Sequence, residues 1–235
     1  APFYSSASIL PSQSNDFKQW QVINTTTWRA TDNLTVKNIV SYSEFSNVNN
    51  SAIFGENFRY GPNNVSVYGS AIFNPTSGKM ADQSTLTEEL QFQGVSLGGA
   101  LNWQVGGYME LSRPLSVLDV RSANMVNCTD LAAFECSDVI GQAFGFGLGR
   151  VETTQSRTWY DNYGLFAQAT YAVTEQLKAT GGFRYTWDKQ TSEVSRVARQ
   201  FSPTDRVSCV DSMSSLPACF YSAAARSSRP TWLLS

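Results

Sequence analysis

Glu88 and Glu89 are adjacent carboxylates, a pairing that invites acid–base chemistry. Neighbours in a strand point to opposite faces, so these two cannot flank one substrate. The chain has no His, which removes the commonest general base and metal ligand. No Ser/His/Asp or Cys/His triad can form without it, and no Asp/Glu group has the spacing of a metal loop. Gly145-Phe146-Gly147-Leu148-Gly149 lacks the Lys-Ser/Thr of a phosphate-binding loop, and no helical pattern follows it. It reads as a flexible or β-like loop. The residues therefore predict no enzyme, no cofactor and no metal.

The four cysteines form two local pairs, Cys128 with Cys136 and Cys209 with Cys219. Both lie in polar, poorly periodic stretches. The spacing without His disfavours zinc. Two loop disulfides in an oxidising compartment fit better, against the alternative of four unrelated thiols.

The elements that must position any site are strands. Tyr163 to Lys189 is the clearest stretch. It reads as a hairpin turning at Val173 to Gln176. Leu177, Ala179, Gly181, Phe183, Tyr185 and Trp187 share one face, and Lys178, Thr180, Gly182, Arg184, Thr186 and Asp188 share the other. That is a period of two, apolar on one side and charged on the other. Leu86, Leu90 and Phe92 oppose Glu89, Gln91 and Gln93 in Ser84 to Gln93. Trp103, Val105 and Met109 oppose Gln104, Tyr108 and Glu110 in Ala100 to Ser112. Phe17 to Thr31 and Leu34 to Phe45 form an earlier hairpin through Thr31-Asp32-Asn33, with a slip in the alternation near Asn38 that reads as a bulge or an ambiguous face.

Connections alternate short and long. Ser46–Asp82, Arg113–Ser156 and Gln190–Arg229 are the long ones, polar and weakly periodic. Compact domains rarely hold loops beyond ~12–15 residues. Short turns at one end and long loops at the other are the layout of transmembrane barrels. Charged residues are only 15% and aromatics 13%, which suits strands wet on one side and apolar on the other. A net charge of −2 without a basic patch argues against nucleic acid. No apolar run approaches the ~20 residues of a membrane helix, which says nothing against a barrel. The reading is an all-β antiparallel up-and-down meander, six complete strands and the opening of a seventh, cut from a large transmembrane barrel. Its apolar face meets lipid and its polar face a wet lumen. Glu89, Gln91, Gln104, Glu110, Lys178, Arg184 and Asp188 are expected to face that lumen. Aromatics such as Trp103, Tyr163, Tyr185 and Trp187 suit a membrane-interface girdle.

The strand segments YGLFAQATYAVTEQLKATGGFRYTWDK, TEELQFQG, LNWQVGGYMEL and WQVINTTTWRATDNLTVKNIVSYSEF resemble barrel strands of TonB-dependent outer-membrane receptors. The resemblance covers roughly half the chain. It implies uptake of a scarce, bulky nutrient such as a ferric siderophore, cobalamin or a glycan. It also implies a plug inside a barrel of twenty-two strands, and energy delivered through TonB–ExbB–ExbD. No plug-like segment or TonB box is legible, so residues 1–235 are expected to be a partial barrel domain of a longer protein, in the outer membrane of a Gram-negative bacterium. Ligand contacts are expected from the long loops, at Phe54, Phe58, Arg59, Tyr60, Phe144, Phe146, Arg150, Arg199 and Phe201. A passive porin-type channel and a secreted carbohydrate-binding β-sandwich are the rival readings.

Overall fold

The computed structural model describes residues 13–52, 58–74, 78–130, 135–201, 207–209 and 221–234, with side chains for all but 58, 207–209 and 221–234. Strands follow in the order β1 (Ser14–Thr31), β2 (Leu34–Ala52), β3 (Phe58–Tyr60), β4 (Val65–Phe73), β5 (Ala81–Ser96), β6 (Leu101–Pro114), β7 (Leu118–Asp130) and β8 (Glu135–Ser137). One helix, α1 (Val139–Phe144), precedes β9 (Arg150–Ala172), β10 (Lys178–Phe201), β11 (Val207–Cys209) and β12 (Tyr221–Leu234).

The hairpins form where period two is cleanest. β9 and β10 pair without a register break from Arg150↔Gln200 to Ala172↔Lys178. Their turn is held by Thr174, whose hydroxyl accepts from the Gln176 and Leu177 amides at 3.3 and 3.0 Å. β10 begins at Lys178, so Leu177 belongs to the turn rather than to the strand face. β2 runs in unbroken register against β1 around Asn38 and against β5. Of the two readings of the slip near Asn38, a bulge or an ambiguous face, the bulge is absent, and the one register shift in the first hairpin lies between Arg29 and Thr31.

Pairing generates one twelve-stranded sheet, ordered β11-β10-β9-β6-β5-β2-β4-β7-β8, with β1 on β2, β12 on β10 and β3 on β4. The expected up-and-down meander of a closed barrel is corrected here. The sheet is open among the described residues, and β9 pairs first with β7 and then with β6. β2 likewise pairs with β5 and then, through Ser51 and Ala52, with β4. β4 and β5 are thus two lengths of one interrupted strand line, and β6 and β7 two lengths of the next. The placement as a multi-pass barrel in an outer membrane is corrected with it. An open sheet leaves edge backbone groups unpaired, which hydrocarbon does not tolerate. No described helix is long and apolar enough to cross a membrane, a fact that bears on helices alone.

The three expected long loops are corrected as well. Residues 46–82 hold the end of β2, β3 and β4; 113–156 hold β7, β8, α1 and the start of β9; 190–229 hold the end of β10 with β11 and part of β12. A hydrophobic cluster of Phe73, Ala123, Val126, Val151 and Phe201 forms at this end, where most of the strands are added. Elsewhere the sheet is a single layer. Leu165 is 55% exposed and Phe183 44%, so the apolar face lies open there rather than beneath a second sheet.

Candidate functional site

The strand additions carry a folded cap. Cys128 and Cys136 sit opposite each other in β7 and β8, and a disulfide joins them with 3.9 Å between their Cα atoms. Cys209 and Cys219 cannot be placed: the Cys209 side chain and all of Cys219 lie outside the described residues. Asp138 follows β8 and caps α1. It is fully buried. One carboxylate oxygen accepts from the Gly141 amide at 2.7 Å, and the other from the Leu148 and Gly149 amides at 2.6 and 2.7 Å. One side chain therefore fastens the helix start to the returning chain. Three charge-assisted bonds offset the cost of burying the carboxylate.

The glycines here serve close approach rather than flexibility. A Cβ on Gly141 would lie 2.2 Å from Asp138 Oδ2, and one on Gly149 2.6 Å from Val126. Gly145 ends α1 with φ 78°, a left-handed conformation that glycine adopts without strain. The segment then docks on β10: the Gln200 amide donates to Gly147 O and the Phe201 N–H to Gly149 O, both at 3.0 Å. The flexible or β-like loop expected at Gly145–Gly149 is a loop, but one packed as a cap rather than flexible.

That cap holds two rings out. Phe144 is 61% exposed and Phe146 55%, with ring centroids 6.1 Å apart. The other expected ligand contacts do not join them. Phe54 and the Phe58 side chain lie outside the described residues, and Arg59 and Tyr60 lie in β3, against the outer end of β4. Arg150 opens β9 and is ion-paired to Glu152 at 3.1 Å; Arg196 pairs with the same carboxylate. Arg199 is in β10, not in a loop. Phe201 is only 2% exposed and belongs to the buried cluster, so it contacts no ligand from a loop. Tyr68 packs against that cluster, and burial pushes its phenol up from the usual value.

The polar face of the sheet is the second feature. Register brings Glu89, Gln91, Gln104, Glu110, Lys178, Arg184 and Asp188 onto one side of β5, β6, β9 and β10. Several of their polar atoms are hydrogen-bonded along this face. The Tyr108 hydroxyl donates to Glu110 at 2.6 Å, and the Asn162 amide to the same carboxylate at 3.1 Å. Gln93 donates to Gln91 at 2.7 Å, and Gln91 in turn to Glu89.

Several residues escaped the sequence reading. Asp138 had a helix-capping signal, but a six-residue helix shows too little periodicity to be seen. Phe166 lies on the polar face, opposite Gly106 and Arg184. An aromatic between Leu165 and Ala167 gives no sign of its side until β9 has a register. Asn74 and Asp82, both buried, fill the gap between the interrupted strand lines.

Nothing in this geometry assembles a nucleophile or a metal group among the described residues. A family model, TonB dependent receptor-like, beta-barrel, matches residues 2–208. No curated protein and no solved structure matches the chain. The family match spans most of the sequence. The chain belongs to the TonB-dependent receptor-like β-barrel family, whose members are transporters rather than enzymes.

Proposed function

We propose that this chain serves the TonB-dependent uptake of a scarce, bulky nutrient, of the ferric siderophore, cobalamin or glycan class. It is one part of a longer receptor that draws energy from the TonB–ExbB–ExbD complex, the partner that family membership implies. The capped end captures the nutrient. The observation that carries this reading is the exposed pair Phe144 and Phe146 on a segment fixed by Asp138, Gln200 and Phe201. Exposing two large apolar rings brings no folding gain, whereas rigid aromatics bind at low entropic cost. The capture surface is ring-based: Arg150, one of the cations expected to contact the ligand, is already paired to Glu152.

The test uses the full-length receptor in cells lacking other uptake systems. Labelled ferric siderophores, cobalamin and oligosaccharides are supplied with and without an uncoupler of the proton gradient. One class should accumulate, the uncoupler should abolish it, and F144S/F146S should reduce it by roughly tenfold or more, as for loss of paired aromatic anchors. Accumulation that ignores the uncoupler would instead identify a passive channel.

A further inference from the structure

Phe144 and Phe146 stand between two holds on the capped segment. After them, Gly147 and Gly149 are bound to Gln200 and Phe201 of β10. Before them, the hold is Asp138, whose carboxylate takes the Gly141, Leu148 and Gly149 amides. Asp138 directly follows β8, so its place depends on what keeps β8 in place. That strand has three residues and, among the described residues, pairs with β7 alone at the end of the sheet order. A ladder this short is weak beside the ~5–6 residues of an ordinary strand. Its register also shifts between Cys128 and Asp130. The Thr129 hydroxyl donates to the Glu135 carbonyl at 3.2 Å, a single exposed bond that adds little. The covalent link from Cys128 to Cys136 lies two residues before Asp138. Both cysteines pack against the cluster of Phe73, Ala123, Val126, Val151 and Phe201. The disulfide is therefore the strongest tie between β8 and the body of the sheet.

We infer that the Cys128–Cys136 disulfide positions the two capture rings, so that the capped end binds its nutrient at full affinity only when this pair is oxidised. The inference rests on the reading of the capped end as the capture surface. Oxidation forms one Sγ–Sγ bond from two thiols. Two protons and two electrons pass to a disulfide oxidant, which leaves as two thiols. A dithiol reverses the exchange. A hollow of about 320 Å³, lined by Asn127, Thr129, Glu135, Cys136 and Ser137, admits such a reagent beside Cys136. With the bond broken, a short edge ladder alone keeps β8 from fraying. When β8 frays, Asp138 withdraws from its three amides and the rings lose one of their two holds. Loose rings spend conformational freedom on binding that fixed rings do not. The sheet itself is spared, since the ladders among β5, β6, β9 and β10 run without β8.

The experiment compares the full-length receptor before and after treatment with dithiothreitol, with C128S/C136S and C209S/C219S alongside. In detergent, hydrogen exchange at the Gly141, Leu148 and Gly149 amides should accelerate about tenfold or more on reduction, while β5 and β6 amides keep their rates. In cells, uptake of labelled ferric siderophores, cobalamin and oligosaccharides is followed against concentration. For the class that accumulates, the half-saturating concentration should rise about tenfold on reduction, as when the competent state falls to a tenth of the population. The maximal rate should not change, and reoxidation with oxidised glutathione should restore the parent curve. C128S/C136S should match the reduced receptor and ignore dithiothreitol, whereas C209S/C219S should respond as the parent does. Unaccelerated exchange at the three amides, ring-dependent uptake that ignores dithiothreitol, a fall in maximal rate alone, or a response that survives in C128S/C136S would each overturn the inference. Uptake untouched by F144S/F146S would instead remove the capture reading, and this inference with it.

Discussion

The Asn38 amide donates to the Glu88 carboxylate at 3.0 Å on the otherwise apolar face of the sheet. Register places Asn38 between Val36 and Val40 in β2, and Glu88 between Leu86 and Leu90 in β5. The slip in the alternation of β2 is therefore no bulge. It is one half of a polar pair whose other half is Glu88. Removing either partner leaves the other without its bond, and removing both leaves a continuous apolar strip. E88L and N38L should each destabilise, and the double variant should cost less than their sum. The coupling should be about 0.5–1 kcal/mol, because both groups keep access to solvent. Urea unfolding of the four-member cycle measures it, and strict additivity would show that the pair contributes nothing.

Asp138 offers a sharper contrast. Its carboxylate satisfies three backbone N–H groups, at Gly141, Leu148 and Gly149. D138A leaves all three without an acceptor inside the cap, at a cost of roughly 3 kcal/mol or more. The loss should be local. Hydrogen exchange at those three amides should accelerate by at least two orders of magnitude, while amides in the Gly106–Phe166 region keep the parent rates. D138N retains one acceptor oxygen and should fall between. Uniform acceleration across the sheet would mean that the cap folds with the sheet as one unit.

How much of this was legible depended on what each residue had to signal. The period of two in Leu86 to Gln93 and in Lys178 to Asp188 placed Glu89, Gln91, Arg184 and Asp188 on a common side before any register was known. Alternation reports a face when one side is apolar and the other polar. β4 and β7 have no such contrast, since VSVYGSAIF and LDVRSANMVNCTD mix small, polar and apolar residues on both sides. Met125 adds a left-handed kink, with φ 56°, that shifts the phase within β7. Those strands looked like loops for that reason. An open rather than closed sheet is a property of long-range pairing, on which local alternation is silent. Phe201 looked like a loop ring because nothing in its neighbourhood revealed Phe73, Val126 and Val151 waiting to cover it.

The gap between the interrupted strand lines gives the last prediction. Asn74 is 8% exposed and bridges the gap with its side chain. Its amide donates to the Asp119 carbonyl at 2.7 Å, and its oxygen accepts from the Asn49 backbone at 2.7 Å. Asp82 secures the other side, ion-paired to Lys79 at 2.8 Å and accepting from the Ser116 hydroxyl. The two side chains stand where continuous strands would have had ladder bonds. N74A removes a donor and an acceptor together and should destabilise by about 1–3 kcal/mol. The capped end hangs on β9 and β10 on one side, whereas among the described residues its strand pairing to β2 on the other is confined to Ser51 and Ala52. Loss of Asn74 should therefore free β4 before the rest. In N74A, limited proteolysis should cut first within residues 65–80, at denaturant concentrations where the parent resists. D82N, which keeps the Ser116 contact and weakens only the ion pair, should show the same cut at a higher concentration. Cleavage that begins instead within β5 or β6 would show that the gap is not the weak line of the sheet.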